Sequence, residues 1–81
     1  MKVNVLFFGA TADAVGEKEI EFETGNSEKA ENVFSEILDS FPNLKNYGKS
    51  LLFSVNQEFS DGSETVKDGD ELAVFTAVSG G

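Results

Sequence analysis

The chain has 81 residues and a formal charge of −9, from 6 Lys, no Arg and 15 Asp plus Glu, with no His, Cys or Trp. That length holds one domain, and the missing Cys and His exclude the usual ligands of structural zinc, iron–sulfur and haem and any Cys–His or Ser–His nucleophile. With no disulfide to form it needs no oxidising compartment, and its charge repels phosphate backbones and anionic lipid, so neither nucleic acid nor membrane is an expected partner.

Leu, Ile, Val and Phe make up 24 of the residues, eight of them Phe, enough for an adequate core. No apolar run approaches the ~18 residues of a membrane span. Met1-Lys2 leads directly into Val3-Asn4-Val5-Leu6-Phe7-Phe8 with no small-residue cleavage site, so this start reads as a strand and the expected location is the cytoplasm. Within that first strand, Lys2 to Phe8, residues Val3, Val5 and Phe7 share one face and Asn4, Leu6 and Phe8 the other. Apolar residues on both faces mark it as central. Ala10 to Gly16 predicts a short helical turn closed by Gly16.

Glu17 to Thr24 alternates, with Glu19, Glu21 and Glu23 on one face and Ile20 and Phe22 on the other, which suits an edge strand paired antiparallel to the first. Gly25-Asn26-Ser27 predicts a turn with Asn26 or Ser27 as a helix N-cap. Ala30, Val33, Phe34, Ile37, Leu38 and Phe41 then form one helical stripe, with Glu28 and Glu31 in the first turn and Pro42 as the stop. Asn43 to Lys49 is a polar connection with a short helical turn around Leu44. Leu51 to Val55 predicts a strand, left through a turn at Asn56-Gln57-Glu58-Phe59. Asp61-Gly62-Ser63 and Asp68-Gly69-Asp70 are turn signals with a brief strand, Glu64 to Lys67, between them. Glu71 to Val78 predicts the last strand, with Leu72, Val74 and Val78 on one face and Ala73, Phe75 and Ala77 on the other. The fold class is α+β: one main helix on one face of a mixed sheet of four or five strands, the last strand parallel beside the first.

The acids show no spacing that singles out a catalytic pair or a calcium loop, and they read as a solvated surface and turn caps. The feature that does carry chemistry is Gly80-Gly81. Two residues without Cβ can thread a channel too narrow for side chains, whereas the bland reading is a frayed end. From Ala77 an extended tail reaches about 17 Å. Its carboxylate is a poor acyl electrophile when ionised. Adenylation activates it, after which a sulfur donor leaves a thiocarboxylate or an amine leaves an amide. Either outcome needs ATP held by a partner enzyme, since the chain has no Gly-rich phosphate loop. The Phe content is the second unusual feature. Phe7 and Phe75 sit at like positions on the first and last strands, and Phe59 can join them in an aromatic interface near the tail; by parity alone, core and interface readings of Phe7 and Phe75 stand even.

Lys2-Val3-Asn4-Val5-Leu6-Phe7-Phe8-Gly9-Ala10, Phe41-Pro42, Val55-Asn56-Gln57-Glu58, Asp68-Gly69-Asp70-Glu71-Leu72-Ala73-Val74-Phe75 and Val78-Ser79-Gly80-Gly81 together resemble, in order and spacing, the small sulfur-carrier subunit of molybdopterin synthase. That family is ubiquitin-like, with a β-grasp fold. The resemblance implies one domain over residues 1–81 with 77–81 a flexible tail. It implies that the Gly81 carboxylate is adenylated by a ubiquitin-activating-type enzyme using ATP, becomes a thiocarboxylate, and gives sulfur to cyclic pyranopterin monophosphate inside the large synthase subunit, in a heterotetramer of two small and two large chains. It implies no cofactor and no metal bound by this chain, and no autonomous enzyme. It assigns Gly80 to threading and Phe7, Phe59, Phe75, Val78 and Ser79 to partner contact. Thr76-Ala77 stands where the family usually has two prolines, and Thr11-Ala12-Asp13 lacks the basic residue common there. The alternatives are a thiamine-pathway sulfur carrier, a ubiquitin-like modifier and an inert β-grasp binding module.

Overall fold

A computed structural model describes residues 1–25 and 29–77. Strand β1 (Lys2–Phe7) alternates as its parity requires, with Val3, Val5 and Phe7 buried. It pairs antiparallel with β2 (Glu19–Glu23), Val3 opposite Phe22 and Val5 opposite Ile20. The short helix α1 (Ala10–Val15) links them and stops at Gly16, whose φ of 86° is left-handed and accessible without a Cβ. Beyond α2 (Ala30–Ser40) the chain passes through a 3₁₀ segment, Pro42–Ser50, and returns to the sheet as β3 (Leu51–Val55), β4 (Glu58–Phe59) and β5 (Glu71–Thr76). The sheet order is β2-β1-β5-β3-β4, with β1 and β5 parallel and the other pairs antiparallel. This is the β-grasp arrangement expected above, with β2 on an edge.

Helix and 3₁₀ segment cover one face of the sheet. Ala30, Val33, Phe34 and Ile37 of α2, with Leu44, close over Val3, Val5, Phe7, Leu72 and Val74. Each large side chain so buried contributes about 1.5–3 kcal/mol. Among the described residues no element covers the opposite face.

Three local expectations differ from the structure. Lys29, extended at φ −77° and ψ 136°, occupies the N-cap of α2 and makes no side-chain cap. Asn26, Ser27 and Glu28 lie outside the described residues. The first turn is satisfied from elsewhere in the chain: Ala30 N–H donates to the Glu64 carbonyl (2.8 Å) and Glu31 N–H to that of Gly62 (3.0 Å). The short strand is Glu58–Phe59, not Glu64–Lys67, where Thr65 makes only an isolated bridge to Lys29. Asn56 and Gln57 explain this, since both are left-handed (φ 51° and 73°) and form a two-residue turn that folds the chain straight back on β3. Finally, β5 ends at Thr76 rather than Val78, which lies outside the described residues.

Candidate functional site: the open sheet face beside the tail

Strand parity decides which side chains the uncovered face presents. On β1 it shows Asn4 and Leu6, and Phe8 continues that side just past the strand. On β5 it shows Glu71, Ala73 and Phe75; on β3, Leu52 and Ser54. Phe59 of β4 lies opposite Ser54 and joins them. Phe8 is 53% exposed and Phe59 75%, and they are the exposed large hydrophobics among the described residues. The Phe59 and Phe75 rings sit 5.9 Å apart. Over the open face, across β1, β5 and β3, lies a shallow groove of about 440 Å³, lined by Leu6, Phe8, Ser54, Ala73 and Phe75 together with Gln57 and Glu71.

Topology sets this patch beside the tail. β1 and β5 run parallel, so Phe8 and Phe75 both lie at the end from which the chain leaves the sheet. Ala77, expected in the flexible tail, is tied by its N–H to the Ser50 carbonyl (2.9 Å). That bond extends the β3–β5 register by one step beyond Leu51–Thr76. A proline at residue 77 would lack the donor. Val78, Ser79, Gly80 and Gly81, singled out in the sequence, lie outside the described residues.

Phe7 requires a correction. It is 2% exposed and packs edge-on against Phe41 at 5.8 Å, so it is core and not partner surface. The register gives the reason. Phe7 pairs with Val74, which faces α2, while Phe75 is one residue further on and faces away. The exposed phenylalanine at this end of β1 is Phe8, on the side that parity gives to Asn4 and Leu6.

The surroundings are acidic. Glu58 follows the β3–β4 turn, and Glu19, Glu21 and Glu23 are exposed along the β2 edge. Lys2 approaches Glu21 at 3.8 Å, an exposed pair worth little. Asn56 holds the turn beside Glu71: its N–H donates to the Glu71 carbonyl (2.7 Å), and its Oδ1 accepts from the Glu71 N–H (3.0 Å). Asp61 and Glu64 lie apart from the groove, in the loop that caps α2. Both titrate below the ordinary carboxylate range, Asp61 mainly through the Ser63 hydroxyl and Glu64 mainly through that of Ser60. Among the described residues no group of three or more acids could hold a metal ion. No helix among them is long and apolar enough to cross a membrane. The face thus combines an apolar, aromatic floor with acidic surroundings, at the end of the sheet where β5 continues into Ala77.

Comparison with known proteins bears on the family and the fold. The model of the ThiS family matches residues 5–81. A molybdopterin synthase sulfur carrier subunit of Chlamydomonas reinhardtii is 34% identical over 83 residues, covering all of both chains. In structure, SAMP1 from Haloferax volcanii superposes with a TM-score of 0.85 at 20% identity over the full length of both chains. Subunit 1 in a complex of subunits 1 and 2 of molybdopterin-converting factor from Helicobacter pylori gives 0.71 at 24%, again over all of both chains. At those identities the two structures speak for the fold.

Proposed function

The chain belongs to the ThiS family, and on that premise we propose that it is the sulfur-carrying small subunit of a molybdopterin synthase. The observation that carries this reading is the end-to-end match, at 34% identity, to a relative of that name. The groove beside the tail supports it, because a carrier whose reactive end enters another protein needs a dock next to its exit.

In this reading the Gly81 carboxylate attacks the α-phosphate of ATP in a ubiquitin-activating-type partner, and pyrophosphate leaves. Sulfur delivered at the sulfide level then displaces AMP and leaves a thiocarboxylate. Gly80 and Gly81 thread the large subunit, Val78 and Ser79 line the entrance, and sulfur passes to cyclic pyranopterin monophosphate while water restores the Gly81 carboxylate. Phe8, Phe59 and Phe75 seat the large subunit, two of each chain per assembly, in the cytoplasm. This chain binds neither ATP nor a metal; the catalytic side chains belong to the partners. The partner surface is apolar with a basic rim, complementary to Glu58, Glu71 and the net charge of −9.

Mass spectrometry of protein from cells tests it. Part of the population is about 16 Da heavier, since sulfur replaces one carboxyl oxygen. Reconstitution with a large subunit then forms the dithiolene, and removing Gly81 abolishes transfer while leaving the fold intact. Undiminished transfer by the shortened chain overturns the reading. Recovery of Gly81 in an isopeptide bond replaces it with the modifier reading.

A further inference from the structure

At the exit end of β1 and β5 a side chain stands inside the backbone ladder. The parallel pairing begins with Asn4 N–H donating to the Asp70 carbonyl at 2.9 Å. With Asn4 opposite Glu71 and Phe7 opposite Val74, the alternation of a parallel ladder brings Leu6 N–H to Leu72 and then Phe8 N–H to the Val74 carbonyl. That last bond is replaced. Phe8 N–H donates instead to Thr11 Oγ1 at 3.0 Å, and the Thr11 hydroxyl has two acceptors in reach, the Val74 carbonyl at 2.7 Å and the Phe8 carbonyl at 2.9 Å; the Phe8 carbonyl already accepts from the Thr11 N–H (3.2 Å), which leaves the hydroxyl proton to the shorter bond, with Val74. Thr11 is fully buried in α1, and its hydroxyl bridges a donor and an acceptor that would otherwise meet directly.

We infer that Thr11 is a positioning residue: its hydroxyl is a wedge that splays β1 from β5 at the tail end, keeping both backbone groups satisfied while opening the groove between Phe8 and Phe75. Three observations converge on this. The hydroxyl lies at the first ladder step beyond Phe7–Val74. Phe8, whose amide it holds, is the exposed aromatic of the groove. Val74, whose carbonyl it holds, immediately precedes Phe75. A valine at residue 11 fills the same space and offers neither bond. The two backbone groups are then left unpaired in a buried site or close on each other and narrow the groove. Serine keeps the hydroxyl. The inference rests on the docking role proposed above for this face, and it adds which residue sets the face's shape.

Thr11→Val, Thr11→Ser and the wild type decide it, compared under conditions where each is folded by circular dichroism; Thr11→Ala replaces the valine variant if that does not fold. By NMR hydrogen exchange, the Phe8 amide in Thr11→Val exchanges at least about tenfold faster than in Thr11→Ser, while core amides of α2 do not separate the two. By calorimetry, Thr11→Val binds the large synthase subunit at least about tenfold more weakly than wild type, and Thr11→Ser stays within about threefold. Equal Phe8 protection in the valine and serine variants shows that the bridge is absent and overturns the inference. Equal affinity of folded Thr11→Val and wild type shows that the bridge positions nothing and also overturns it. If the wild-type chain does not bind a large subunit, the carrier reading fails, and the exchange experiment still decides whether the wedge exists.

Discussion

Replacing Phe7 and Phe8 separately by alanine sets two adjacent residues of the same type against each other. Phe7 is 2% exposed and lies against the Phe41 ring, so Phe7→Ala removes a full aromatic side chain from the core. Such truncations cost about 3–5 kcal/mol. A domain of 81 residues has a total stability of about 4–12 kcal/mol. The Phe7 variant therefore loses about a quarter or more of its stability, with its thermal midpoint lowered by at least about 12 °C. Phe8 is already 53% exposed and holds about half the contact of a buried ring, so Phe8→Ala costs about 1 kcal/mol. Its effect falls on partner binding instead, where a central aromatic anchor is worth about 2 kcal/mol or more. Urea denaturation followed by circular dichroism measures the first quantity, and calorimetric titration with a large synthase subunit the second. A Phe7→Ala protein that loses less than about 1 kcal/mol, or no more than Phe8→Ala, would refute the face assignment on which the site depends.

Phe75→Ala, which removes the ring shared with Phe59 at 5.9 Å, costs more stability than Phe8→Ala, about 1–2.5 kcal/mol, because Phe75 is the more buried, and lowers affinity for the large subunit at least tenfold; unchanged affinity of the folded variant in the same titration removes Phe75 from the interface. Gln57→Gly relieves a left-handed non-glycine residue at φ 73° and raises stability by about 0.5–1 kcal/mol in urea; a destabilised variant shows that the Gln57 side chain holds the turn. Asp61 and Glu64 give an acid dependence of known sign. Their folded pKa values lie below the ordinary 3.8 and 4.5, so their contribution is complete above those values and is lost as pH falls through the lower, folded ones. The Ser60→Ala/Ser63→Ala double variant removes the hydroxyls that cause the shifts and so loses stability less steeply in acid; denaturation curves that keep the wild-type slope below pH 5 contradict that assignment.

The elements that could be read from the sequence were those whose periodicity has one explanation. Val33, Phe34, Ile37 and Leu38 recur only as a helix does, and Glu19 to Glu23 alternate only as a half-buried strand does. The start of α2 was not readable, because its first N–H groups bond to Gly62 and Glu64, some thirty residues away. No local cap chemistry announces such a partner. The short strand is hard to place from sequence for a related reason. Glu64 to Lys67 has as much strand character as Glu58–Phe59, and the choice between them is made by the left-handed pair Asn56-Gln57, whose backbone angles the sequence does not display.

The one-residue error at the candidate site has the same root. Parity divides β1 into two sets and is silent on which set meets the helix. On β2 the question answers itself, because glutamates cannot face a core. On β1 both sets carry phenylalanine, and as a central strand it has a neighbour on either side, so composition leaves the two faces nearly equivalent. What separates them is register: Val3 opposite Phe22 and Val5 opposite Ile20 put that set, and Phe7 with it, on the face the β2 glutamates leave for the core, and Phe7 opposite Val74 carries the same choice to β5. Phe8 falls to the other face, and strand pairing, not the composition of β1, makes the assignment. A strand apolar on both faces buries only one of them against the chain's own helix. The other stays open, and on it Phe8 and Phe75 stand at the end of the sheet where β5 leaves it, with Phe59 beside Phe75; under the proposed function this is the face that meets the large subunit.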